Sequence, residues 1–106
     1  MEIKEMSHNE WKVLSIAGRL DTQTAPELEA KSVPLLDGNP KMVLEFSQLQ
    51  YISSAGLRVL LMLAKKAKAI GGTVVLSNVD GMVQEVIEES GIDSFFTIYD
   101  SVESLP

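Results

Sequence analysis

The 106-residue chain contains no cysteine. Disulfides, thiol nucleophiles and cysteine-based zinc sites are therefore excluded, and the absence fits a reducing compartment. Histidine occurs once, as His8, so only scattered carboxylates remain as metal ligands. No metal site and no cofactor is expected. Long apolar runs are also missing, and no stretch reaches the length of a membrane span. Glu2, Lys4 and Glu5 precede any apolar run, so the N-terminus does not read as a signal peptide. No Lys or Arg follows Lys68, whereas Asp80, Glu85, Glu88, Glu89, Asp93, Asp100 and Glu103 all do. With a net charge of −6 and a pI near 4.6, the chain lacks the basic patch that nucleic acid or an anionic membrane surface requires. The acidic C-terminal third reads as a solvated face; a face for a basic partner is the alternative.

Low-complexity segments, linkers and internal repeats are absent too. Hydrophobic residues make up 45% of the chain, enough for a core. The expectation is one domain over residues 1–106, soluble and cytoplasmic.

Residues 2–6 and Trp11–Ala17 alternate weakly and clearly, respectively, around the polar turn Ser7-His8-Asn9-Glu10. They predict an antiparallel hairpin, with Gly18 ending its second strand. Asp21 to Glu27 reads as a helix start, with Thr22 or Thr24 as cap and Pro26 in the first turn. Pro34 should kink or shorten that helix. Met42–Phe46 and Thr73–Ser77 predict buried strands. A helix over about 54–70 should bury Leu57, Leu60, Leu61, Ala64 and Ala67, leaving Val59, Met62 and Leu63 to point elsewhere. Val79–Ser90 predicts a helix with Val79, Met82, Val83, Val86 and Ile87 as its stripe, capped by Gly91. A short strand follows at Phe96–Ile98, then a last short helix from Asp100. The expected fold is α/β: a mixed sheet of about four or five strands, an antiparallel hairpin followed by parallel strands, flanked by about four helices.

Nothing in the pattern assembles a catalytic centre. His8 falls in a hairpin loop with no sequence relation to Ser53 or Ser54, so a Ser-His-acid triad has no support. No Gly-x-Ser-x-Gly elbow is present, and Gly71-Gly72 lacks the spacing and lysine of a phosphate-cradling loop. An esterase using His8 with Ser53 or Ser54 stands only as a formal option.

The informative stretch is Tyr51-Ile52-Ser53-Ser54-Ala55-Gly56-Leu57, where a strand hands over to a helix. Ligands and chemistry collect at such strand ends in open α/β sheets. Read alone, Ser53 or Ser54 is a helix N-cap. Two hydroxyls stand where a cap needs one, Ala55 and Gly56 leave the turn accessible, and the helix behind it is apolar almost all round. A partner could bury the surplus apolar face. A phosphate on the turn would be tolerated by the helix dipole and resisted by such a partner.

Gly18-Arg19-Leu20-Asp21 with Thr24-Ala25, then Leu44-Glu45-Phe46, then Tyr51 to Leu57, then Gly71-Gly72, resemble the STAS domain of bacterial anti-sigma factor antagonists in order and spacing. The resemblance implies a non-catalytic protein that binds an anti-sigma factor serine kinase and so frees a sigma factor. It further implies that the kinase phosphorylates the antagonist to end the complex and that a metal-dependent serine phosphatase resets it. By position Ser54 is the phosphoacceptor. Ser53 stands where the commoner motif has Asp, and Ala55 where it has a second hydroxyl. Asp21 and Thr24 are placed near the acceptor, and Ser53, Ala55, Gly56, Arg58, Val59 and Met62 complete the expected partner surface. A STAS subunit of a membrane transport complex, binding its ATPase without a phosphorylation cycle, is the alternative. Neither reading involves nucleic acid or direct membrane insertion.

Overall fold

In the computed structural model, which describes residues 1–106, six strands form one mixed sheet. Strands β1 (Glu2–His8) and β2 (Trp11–Leu20) make the expected antiparallel hairpin, with Asn9 at φ 54 in its turn. Helix α1 (Ala25–Gly38) leads to β3 (Lys41–Glu45), β4 (Leu49–Ile52) and helix α2 (Ser54–Ala69). Then come β5 (Thr73–Ser77), helix α3 (Gly81–Ser90) and β6 (Ile98–Tyr99), with single 3-10 turns at Ile92–Phe95 and Val102–Ser104. The order across the sheet is β1-β2-β3-β5-β6, parallel after the first pair, and β4 pairs with the far end of β2.

Two features of that far end were not expected. Gly18 does not end β2. At φ +95 it adopts a backbone that L side chains rarely reach, and there β2 leaves β3 and shifts register onto β4. Leu49–Ile52, read as a lead-in to the serine turn, is the sixth strand. Four residues, Leu49-Gln50-Tyr51-Ile52, preceded by the polar Ser47-Gln48, are too few to declare a strand by alternation. Three α-helices form in place of about four, because the segment after Asp100 makes only a 3-10 turn. The last strand lies at Ile98–Tyr99 and not Phe96–Ile98.

All three helices pack on one face of the sheet. Leu28, Leu36, Leu60, Leu63, Val83 and Ile87 meet Leu14, Ile16, Met42, Leu44 and Leu76 in one core. Trp11, Val13, Val43 and Val75 line the opposite face, where the cover is the C-terminal segment through Leu105 and Val102. Trp11 Nε1 donates to the Pro106 carbonyl at 3.2 Å. Pro34 lies inside α1 without shortening it. It sits on the exposed side, where the carbonyl of Ala30 that it leaves without a donor can bond to water.

The helix that begins at the serine turn is rotated from its expected setting. α2 buries Gly56, Val59, Leu60, Leu63 and Ala67, while Leu57, Leu61 and Met62 are half-buried on its flanks. The cause is Gly56. A Cβ there would stand 2.8 Å from Leu20 Cγ and 2.9 Å from Ile52 Cγ1, so only glycine lets the first turn settle this close to the ends of β2 and β4. That approach turns the Gly56 face inward and carries Val59 and Leu63 with it. Val59, expected on the outer surface, is 7% exposed and belongs to the core, as does Gly56.

Candidate functional site: the joined ends of β2 and β4

Because β2 and β4 are parallel neighbours, the segments that follow them emerge side by side. The Ser53 N–H donates to the Leu20 carbonyl at 2.9 Å and ties the two exits together. The Arg19 guanidinium lies over the Tyr51 ring at 4.1 Å, within cation–π range, with its Nε 3.6 Å from Asp21 Oδ2. Neither Arg19 nor Tyr51 was among the expected site residues. Both lie inside the quoted motifs, but only strand pairing shows that they meet.

The Asp21–Thr24 turn is closed on itself. Asp21 Oδ1 accepts from the Gln23 N–H (3.0 Å), the Thr24 N–H (3.2 Å) and the Thr24 hydroxyl (3.2 Å). Thr24 Oγ1 in turn accepts from the Asp21 N–H at 2.9 Å and bonds the Arg19 carbonyl at 2.8 Å. Thr24 occupies the N-cap position of α1, yet its hydroxyl faces back into this turn and makes no cap bond. Desolvation raises the Asp21 pKa; the bonds from Thr24 and Gln23, with the Arg19 charge, outweigh it and hold the carboxyl below its ordinary value.

At the other exit the two serines differ sharply. Ser53 is the N-cap of α2 by backbone (φ −104, ψ 177), but its hydroxyl makes no cap bond. Its Oγ is shut off from solvent and has no hydrogen-bond partner. Ser53 therefore offers a partner no accessible hydroxyl. Ser54 is the first helical residue and is exposed. The first-turn N–H groups of α2 receive no side-chain cap, so the positive end of the helix dipole stands open beside the Ser54 hydroxyl. Ala55 is half-buried and Arg58, one turn along, is exposed.

His8 pairs with Trp11 at the opposite end of β2 from Leu20. Nine residues of strand separate the two levels by about 30 Å, so the esterase arrangement is not formed. No group of three or more His, Asp or Glu side chains is disposed to hold a metal ion, and no helix is long and apolar enough to cross a membrane.

The STAS domain family model matches residues 2–105. The chain is a STAS-domain protein. The domain is 38% identical over 93 residues to BtrV of Bordetella bronchiseptica, provisionally named an anti-sigma factor antagonist, covering 87% of this chain and 80% of that one. It superposes on an anti-sigma factor antagonist from Mycobacterium paratuberculosis with a TM-score of 0.79 and 28% identity, covering 96% and 87% of the two chains. It also superposes on the Bacillus cell-fate determinant SpoIIAA in its phosphorylated form, with a TM-score of 0.73 and 22% identity, covering 97% and 96%. Within the STAS family the chain groups with the anti-sigma factor antagonists, which are regulatory proteins and not enzymes.

Proposed function

We propose that this STAS protein antagonises an anti-sigma factor by binding an anti-sigma serine kinase, and that phosphorylation of Ser54 ends the complex. The observation that carries the reading is the exposed Ser54 hydroxyl on the uncapped N-terminus of α2, beside the Asp21–Thr24 turn. No general base accompanies it, so it is a group to be modified and not a nucleophile. The contact surface comprises Asp21, Thr24, Ser54, Ala55, Arg58 and Met62, with Arg19 and Tyr51 added. Gly56 and Val59 position α2 from within.

A phosphate on Ser54 brings roughly −1.5 to −2 charges. The helix dipole and Arg58, at i+4, accommodate that charge, so the fold is unharmed. A partner pressed against the turn meets a new anion and is expelled. The Bacillus neighbour is known in a phosphorylated form, which agrees with such a cycle. A metal-dependent serine phosphatase resets the hydroxyl, and the cycle runs in the cytoplasm, where the kinase finds ATP.

Incubation with ATP and the cognate kinase is expected to add the mass of one phosphate to the wild type and none to Ser54→Ala. Ser54→Asp is expected to lose the kinase in a pull-down. Phosphate gained by Ser54→Ala would refute the site. A Ser54→Asp variant that bound as well as wild type, co-purifying with a transporter ATPase, would move the domain to the transport role.

A further inference from the structure

β6 pairs with β5 only at Leu76 and Ser77, which leaves the first half of β5 at an open sheet edge. The alternation of the ladder shows which groups face it. Thr73 and Ser77 bond towards the β3 side, to Pro40 and Phe46. Leu76 and Asn78 donate the other way, to the Thr97 and Tyr99 carbonyls at 3.1 and 3.2 Å. Val74 is the next residue in that second set. Opposite it the chain has already left for the Ile92–Phe95 turn, and neither its N–H nor its C=O finds a backbone partner there.

A groove of about 530 Å³ runs along this edge. Its floor is Val74, Ala64 and Ala67, one wall is Phe95, and Lys65 and Lys68 stand on its rim. Phe95 is 57% exposed, the most exposed large apolar side chain of the molecule. Lys65 and Lys68 are exposed and take part in no ion pair, whereas Lys66 between them is bound to Asp37 at 3.1 Å. In a chain of net charge −6, an open strand edge flanked by two unpaired cations and an exposed aromatic ring is a selective feature.

We propose that this groove receives an extended acidic segment of another protein, which adds to β5 as a strand. Its backbone bonds the Val74 N–H and C=O. The alternate side chains that point to the helix side of the sheet bring carboxylates to Lys65 and Lys68 on α2, with Phe95 flanking them. The Lys65 and Lys68 ammonium groups offset the like-charge repulsion from the acidic surface, so the charge of the segment sets both register and selectivity. The groove lies eleven to fourteen residues along α2 from Ser54, roughly 16–21 Å by helical rise. Its occupancy is therefore independent of the phosphorylation proposed above.

The probe is a fluorescein-labelled hexapeptide alternating valine and glutamate, compared with its valine–lysine counterpart. The acidic peptide is expected to give saturable anisotropy and the basic one none. Lys65→Glu/Lys68→Glu, two exposed positions, is expected to weaken binding at least about tenfold, while Ser54→Asp leaves it unchanged. The Val74 amide is expected to gain exchange protection with peptide bound. Equal binding of both peptides, indifference to the double substitution, or an unaltered Val74 amide each overturns the proposal. So does a peptide-free dimer that the double substitution dissociates in sedimentation, which assigns the groove to a second copy of the chain.

Discussion

Ser53 and Ser54 are neighbours of one residue type, and the fold gives them opposite situations. The Ser53 hydroxyl is buried and unpartnered, a state that costs free energy in the folded protein. Ser53→Ala is therefore expected to be neutral or stabilising by up to about 1 kcal/mol in urea unfolding, whereas loss of a true cap would destabilise. Gly56→Ala drives a methyl into Leu20 and Ile52 and is expected to cost about 1–3 kcal/mol in the same assay. Asp21 makes the site sensitive to acid. Its carboxyl lies below the ordinary 3.8, so its contribution to stability is present at neutral pH and is lost as pH falls through and below that value. Asp21→Asn is expected to lower Tm at pH 7, and the difference is expected to shrink as pH falls below 3.8. A gap between the two melting curves that persisted in acid would remove Asp21 from the account.

At the scale of elements, the position of α2 could be read from the chain but its rotation could not. A run of Leu57, Val59, Leu60, Leu61, Met62 and Leu63 satisfies two adjacent stripes, and periodicity alone does not choose between them. Contact with β2 and β4 through Gly56 decides it. Leu63→Ala is accordingly expected to cost about 2–5 kcal/mol and Met62→Ala no more than about 1 kcal/mol, measured as ΔG of unfolding. Small losses at both positions would restore the stripe expected from sequence, which left Met62 and Leu63 alike outside the core. β4 escaped notice for a related reason: its strand character comes from pairing with β2, which no local pattern reports.

The whole molecule is asymmetric, with three helices on one face of the sheet and a single C-terminal strap on the other. Removal of residues 102–106 uncovers Trp11, Val13, Val43 and Val75. That truncation is expected to cost about 2 kcal/mol or more and to shift the emission of Trp11, the one tryptophan, to longer wavelength. The same asymmetry confines charge. Four of the nine basic residues lie on α2, and the segments after it carry none. Basic and acidic surface are thus separated by the order of elements along the chain.

The sequence by itself determined the hairpin, the parallel α/β order, the family motifs and Ser54 as the residue to watch. Each of these is local: a period of hydrophobicity, a turn residue, or a short run of fixed spacing. The family motifs implied that Asp21 and Thr24 lie near Ser54; the tertiary structure supplied the cause, the parallel pairing of β2 with β4 that brings their ends together. The tertiary structure alone decided that Val59 is core and that the Ser53 hydroxyl is sealed, because both depend on how deeply Gly56 lets α2 settle onto strands that are distant in the chain.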